Sequence, residues 1–235
     1  MVKGIYTAAR GLDSRMKSME SVANNLANAN STGFKREGEF QQIINEFGKT
    51  EAKQMRDYSN GNFVGTNSPL DLAIKGDGFF QVKTENGIEL SRNGKFSISD
   101  DGFLINDNGN KVMGSKGEIN LSGYKLDQNQ TIKISRTGEI KVGDEVVDTL
   151  KISTVEDPQS LQKTGGSNFM DMNQEYIPAG EDKFEVMEGY IEESNVNTLY
   201  EMQKMIEVNK GYEAAQKVIT SIDTSMERLK EIGKV

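Results

Sequence analysis

Two apolar seams at opposite ends of this 235-residue chain constrain its fold more than anything between them. Near the start, Ile5, Ala9, Leu12, Met16, Met19, Ala23 and Leu26 recur at alternating spacings of four and three. Near the end, Val208, Tyr212, Ala215, Ile219, Ile222, Met226 and Leu229 repeat the same rhythm. That alternation keeps apolar side chains on one narrow stripe of a helix, the stripe that packs against another helix. It predicts one helix from Val2 or Lys3 to about Ala29, and a second beginning at Ser194 or Asn195, either of which can cap it. Two such helices can close on each other as an ordinary core pair. They can also close on further copies of themselves.

The end of the first helix is marked. Asn30-Ser31-Thr32-Gly33 forms a stop, with Gly33 suited to a left-handed cap. Asn24, Asn25, Asn28 and Asn30 crowd the last turns although asparagine is a poor helix former. Either the helix frays there, or the amides hydrogen-bond to neighbouring chains. Gly211 sits inside the second helix at a cost of roughly 1 kcal/mol against alanine. It marks a bend, a close approach of another backbone, or a tolerated cost.

Between the helices the pattern changes twice. Phe40, Ile43, Ile44 and Phe47 fall at helical spacing before Gly48 interrupts them, and Lys49 to Asn60 is polar. Residues 34–69 therefore read as a connecting segment with some structure. From Leu70 to about Asp182 the period becomes two: Phe80, Val82, Phe96, Ile98, Phe103, Ile105, Ile132, Ile134, Ile140 and Val142 alternate with polar residues. Asp77-Gly78, Asn86-Gly87, Asn93-Gly94, Asp101-Gly102, Asn108-Gly109 and Thr137-Gly138 are expected to supply the positive φ angles of tight turns. The fold class is α+β. A coiled-coil-like helical domain made of 1–33 and 194–235 brackets a central, mostly antiparallel β domain at 70–193.

The chemistry available is narrow. The net charge of -8 argues against nucleic acid as a partner. The acid lies in the middle, since Lys3, Arg10, Arg15 and Lys17 outnumber Asp13 and Glu20 in the first thirty residues. The chain has no cysteine and no histidine, which removes thiolate nucleophiles, the commonest general base and the commonest metal ligand. Carboxylate pairs such as Asp100-Asp101 sit at turns, where acidic residues serve the backbone. No phosphate-binding glycine loop occurs. The expectation is a non-enzyme with no cofactor and no metal. Charged residues interrupt the N-terminus and no apolar run is long enough for a membrane span. The chain is thus expected to stay in the cytoplasm, or to be exported without a cleaved signal peptide and without membrane insertion.

Three segments carry a resemblance. Val22-Ala23-Asn24-Asn25-Leu26-Ala27-Asn28-Ala29-Asn30-Ser31-Thr32-Gly33-Phe34-Lys35 resembles the N-terminal signature of the bacterial flagellar rod and hook family. Ser68-Pro69-Leu70-Asp71-Leu72-Ala73-Ile74-Lys75-Gly76-Asp77-Gly78-Phe79-Phe80 is similar to that family's entry into its middle domain. Glu188-Gly189-Tyr190-Ile191-Glu192-Glu193-Ser194-Asn195-Val196-Asn197 is similar to its entry into the C-terminal helix.

The resemblance implies an axial structural subunit of the basal body. Its terminal helices would line an inner tube, with the β domain outside. Subunits would stack helically into a hollow shaft that carries torque and passes exported subunits. Its partners would be copies of itself, other rod proteins and the flagellar export apparatus, in a rod crossing the periplasm. The assembly interface is then expected on both seams, with Asn24, Asn25, Asn28, Gly33 and Phe34. Only 33 residues, Phe34 to Thr66, lie between Gly33 and the Asn67-Ser68-Pro69 entry to the middle domain, which favours a proximal-rod type over a distal-rod or hook type. A secreted β-domain adhesin with a helical stalk, or a hydrolase using paired carboxylates, are the readings from other classes.

Overall fold

A computed structural model describes residues 2–44, 50–124, 132–173 and 175–232. They form two compact units. One comprises 1–29, 36–57 and 196–235; the other comprises 30–35 and 58–195.

The first unit holds α1 (Val2–Ala27) and α2 (Thr198–Ile232), which pack against each other. The cap of α2 is Asn197, three residues beyond Ser194: its Oδ1 accepts from the Tyr200 amide at 3.1 Å, and its carbonyl from the Glu201 amide at 3.0 Å. Helix α2 is continuous through Gly211. A Cβ there would run into the Arg15 guanidinium, so this glycine marks the close approach of an α1 side chain.

The same unit holds an antiparallel hairpin, β1 (Glu37–Ile44) and β2 (Thr50–Arg56), with a register shift between Glu37 and Phe40. The helical spacing of Phe40, Ile43 and Ile44 is therefore overruled by strand pairing. An apolar cluster that short cannot repay the cost of helix nucleation, whereas β2 offers a ladder. Phe47 lies outside the described residues.

Among its described residues, the regular structure of the second unit is all β apart from two 3₁₀ turns. Its main sheet is built around β5 (Phe79–Thr84), which pairs antiparallel with β6 (Gly87–Ser91), with Lys111–Gly114 and with Ile152–Thr154. A three-stranded antiparallel sheet is formed by Ile132–Ile134, Glu139–Val142 and Glu145–Thr149. Phe80, Val82, Leu72, Ile74, Ile140, Val142 and Ile152 meet in one core; Phe79, Leu90, Val155, Leu161 and Phe169 form a second. Two further pairings bring the ends of the unit together. β3 (Phe63–Gly65) pairs with Tyr190–Glu192, and β4 (Leu72–Gly76) with Phe184–Glu188.

The period-two reading places most of the core residues it named, but slips by one at 103–106. Leu104 and Asn106 point inward, while Phe103 and Ile105 are only half-buried. The turn decides this register. The Asn106 side-chain oxygen accepts from the Asn108 and Asn110 amides at 3.1 and 2.9 Å, which needs the amide inside the turn. Phe103, on the other face, lies under the Lys111 ammonium, 3.8 Å from its ring centre.

Candidate functional site

The most constrained group of side chains in the second unit is ionic and almost fully buried. Lys35 ends the first signature segment, Arg92 follows β6, and Glu192 ends the strand paired with β3. The Lys35 ammonium donates to Glu192 Oε1 at 2.6 Å and to the Ser59 carbonyl at 2.7 Å. The Gly61 amide donates to the same Glu192 oxygen at 2.9 Å. Arg92 Nη1 reaches Glu192 Oε2 at 3.4 Å and the Ile74 carbonyl at 3.0 Å; Nη2 donates to the Gly76 carbonyl at 2.8 Å. All three side chains are at most 3 % exposed. Burial pushes the Arg92 guanidinium below its usual pKa, and the neighbouring Glu192 carboxylate pulls it back up.

Backbone geometry fixes the same point. Gly33 has a φ of 66°, the predicted left-handed conformation, and its amide donates to the Glu192 carbonyl at 2.7 Å. A Cβ at Gly33 would collide with the Arg92 and Asn93 backbone, so the residue must be glycine for space as well as for φ. Phe34 is buried beside it, its ring 4.5 Å from the Lys163 ammonium.

In the first unit, the asparagines find partners within the chain. Asn25 is buried. It donates to the Glu37 carbonyl at 2.8 Å and accepts from the Glu37 amide at 2.8 Å, a two-point clamp on the start of β1. Asn24 donates to the Glu37 carboxylate at 3.0 Å, and Asn28 donates back to Asn24. Arg36 Nε donates to Glu201 Oε1 at 2.6 Å, with its guanidinium 5.3 Å from the centre of the Tyr200 ring.

The seams divide. In α1, Leu12, Met19 and Leu26 are half-buried, whereas Ala9, Met16 and Ala23 are exposed. In α2, Val208, Tyr212, Ala215, Ile219, Ile222 and Met226 are all half-buried. Ile5 and Leu229 lie outside the residues whose side chains are described. A second apolar stripe, Leu199, Met202 and Ile206, is exposed on the first turns of α2. Val22, off the predicted seam, is buried.

Sequence reasoning singled out Gly33 and Phe34 but missed Lys35, Arg92, Glu192 and Glu201, because a charged residue in isolation reads as surface. The available signal was position. Lys35 closes one signature and Glu192 lies inside another. Among the described residues no His, Cys, Asp or Glu group is arranged to hold a metal ion. No described helix is long and apolar enough to cross a membrane.

Three family models match the chain in order. Residues 5–35 match the flagella basal body rod protein model, and 73–142 the D1 domain model of the flagellar hook protein FlgE/F/G. Residues 187–232 match the C-terminal model of the flagellar basal body rod FlgEFG proteins. Lys35, Arg92 and Glu192 fall one in each. Among similar proteins, the flagellar basal-body rod protein FlgF of Mesorhizobium japonicum is 25% identical over 242 residues, covering 99% of both chains. FlgF of Rhizobium meliloti is 26% identical over 236 residues, covering 97% of this chain and 96% of its own. FlgG of Buchnera aphidicola subsp. Baizongia pistaciae is 29% identical over 262 residues, covering 97% and 99%.

Proposed function

This chain belongs to the flagellar basal-body rod protein family, and on that premise we propose that its helical ends pack with those of other copies around the rod's central channel. The protein is a structural subunit of the rod in the flagellar basal body, and it is not an enzyme. It assembles with other rod proteins. The finer reading has the subunits stacking head to tail in a helix that does not close on itself. The shaft crosses the periplasm, transmits torque and passes exported subunits. Each subunit reaches it through the flagellum's own export apparatus.

One observation carries the packing proposal. The α1 seam is half used within the chain: Leu12, Met19 and Leu26 are half-buried while Ala9, Met16 and Ala23 stand exposed on the same stripe. A heptad stripe with one set of positions uncovered suits a coiled-coil-like contact with a second helix from another subunit. The exposed Leu199, Met202 and Ile206 of α2 offer another apolar surface of this kind. The proximal-rod reading draws support from the short connection of 33 residues, Phe34 to Thr66, between Gly33 and the Asn67-Ser68-Pro69 entry.

Met16→Asp tests the packing. Met16 is 48% exposed, so a carboxylate there leaves the free chain's melting unchanged. In an assembled interface the same carboxylate is unpaired and costs several kcal/mol, of order 3 or more. Cells carrying the variant are expected to make the protein and fail to swim. Wild-type swimming would remove the exposed half-seam from the interface.

A further inference from the structure

The polypeptide passes between the two units four times, after Ala29, Lys35, Asp57 and Asn195. On the β unit, hydrogen bonds join all four roots to one another through the buried ion group. The Asn30–Lys35 segment holds the first two roots. It is fixed by the Lys35 ammonium on Glu192 Oε1, by the Gly33 amide on the Glu192 carbonyl, and by the Ser167 hydroxyl, which donates to the Thr32 carbonyl at 2.8 Å. The third root is held at Ser59, whose carbonyl accepts from Lys35 and, at 3.1 Å, from the Asn195 side-chain amide. Asn195 is itself the fourth root. Two residues before it, the Glu193 amide donates to the Asn62 carbonyl at 2.8 Å. Gly61 allows that approach, because a Cβ there would run into the Glu193 carbonyl.

Glu192 is common to these contacts, and Arg92 ties it to the sheet. Arg92 Nη1 and Nη2 donate to the Ile74 and Gly76 carbonyls of β4, the strand that gives Leu72 and Ile74 to the main core. Stability alone does not call for this arrangement. Apolar side chains of similar volume often serve a fold as well as a buried ion group, because desolvating the charges offsets their attraction. What short, directional bonds add is stiffness. Apolar surfaces give way gradually as they slide, whereas charge-assisted hydrogen bonds hold one geometry until they break. Bonds that meet at one carboxylate also share a load, so a pull on one root is opposed by the bonds at the others.

We propose that this knot is a mechanical clamp. It makes the roots of all four connections part of the β unit's core. Force arriving along any of them then reaches the sheet through Glu192 and Arg92 instead of peeling that connection away. This rests on the reading of the protein as a torque-carrying rod subunit. In such a subunit, every force that the chain itself carries from the helical unit enters the β unit through these roots.

Amide hydrogen exchange of the purified chain tests the clamp. The reporters are the Gly33, Gly61 and Glu193 amides at the roots, compared with the amides of the β5–β6 ladder. A clamped root opens only when the sheet does, so in the parent the two sets are expected to exchange at the same rate. Lys35→Met keeps the buried stem and removes the ammonium. It is expected to speed the root amides about a hundredfold relative to the ladder. Leu161→Ala weakens the second core and is the control, expected to speed both sets alike. Asn195→Ala cuts the half-buried tie to Ser59 without touching a buried charge, and is expected to speed the Glu193 amide relative to the ladder. Roots that outpace the ladder in the parent, or a ratio that both root variants leave unchanged, would overturn the clamp. Swimming under load gives the second readout. Cells carrying Lys35→Met are expected to swim in dilute medium and to lose more speed in viscous medium than parent or Leu161→Ala cells. A shifted exchange ratio with the parent's loss of speed would overturn the mechanical role. The exchange measurement does not involve the rod, so the clamp can fail with the rod reading intact. Wild-type swimming of Met16→Asp would instead fail the helical packing with the clamp intact.

Discussion

At the residue scale, three charges and one amide account for most of what is unusual in this chain. Glu192 accepts from Lys35, Arg92 and the Gly61 amide in a place water does not reach. Removing one partner of a buried ion group leaves the others uncompensated, at about 3–5 kcal/mol. Glu192→Ala is expected to lose that much in urea unfolding followed by tyrosine fluorescence, the chain having no tryptophan. A loss under about 1 kcal/mol, the scale of a surface pair, would mean that the group is hydrated in solution. Asn25→Ala removes both bonds to the Glu37 backbone and is expected to cost about 1–3 kcal/mol. Asn28→Ala removes the bonds to Asn24 and is expected to cost less, because alanine also raises helix propensity. The sequence made the asparagine cluster demand an explanation. Beside fraying and bridging to other chains, the fold shows a further bond, made within the chain. The partner is a backbone twelve residues away, brought back by a hairpin whose pattern looked helical.

At the scale of elements, legibility followed how much of each element's stabilisation is local. The two terminal helices were readable because a seam repeats over many residues, and Gly33 was readable because a left-handed stop has a short signature. The cap of α2 was misplaced because Ser194, Asn195 and Asn197 all qualify by type, and only the fold frees Asn197 to take the role. Asn195 instead donates to the Ser59 carbonyl at 3.1 Å. Asn197→Ala is expected to cost about 1 kcal/mol and to lower helical circular dichroism; an unchanged spectrum and stability would move the cap elsewhere. The Phe103–Asn106 strand was misread by one residue because Phe103, Leu104 and Ile105 are all apolar, leaving alternation without a phase. Across the sheet, hydrogen bonds from Lys111 and then Lys83 hold the Glu118 carboxyl below its ordinary range. A depressed folded-state pKa contributes stability above the unfolded value and loses it as pH falls through the folded one. Carboxyl NMR is thus expected to show Glu118 titrating low, and Lys111→Met raising its midpoint more than Lys83→Met does.

At the scale of the whole molecule, the two units are held by different means. The β unit has two apolar cores and a buried ion group that joins its first segment to its last. The helical unit has little equivalent. Among the described residues of α2, the one buried side chain is Glu201, and in α1 the one buried large apolar side chain is Val22. Elements with few buried apolar contacts open locally at low free energy. Limited proteolysis of the free chain is therefore expected to trim α1 and α2 before it cuts the β unit. The boundary of the protected unit is a sharper matter, because residues 30–35 belong to it although the hairpin at 36–57 does not. A fragment spanning 30–195 keeps Gly33, Phe34 and Lys35 and is expected to melt cooperatively. A fragment spanning 58–195 retains both apolar cores but leaves Glu192 without its closest cation and the Ser59 carbonyl without its ammonium. By the cost of breaking a buried pair, it is expected to be about 3–5 kcal/mol less stable, or not to fold. Adding Glu192→Leu to the shorter fragment sharpens the comparison. It removes the stranded carboxylate but strands Arg92, so it is expected not to rescue. Equal unfolding midpoints for the two fragments would show that the β unit folds without the first signature, and that the ion group merely decorates a core already complete.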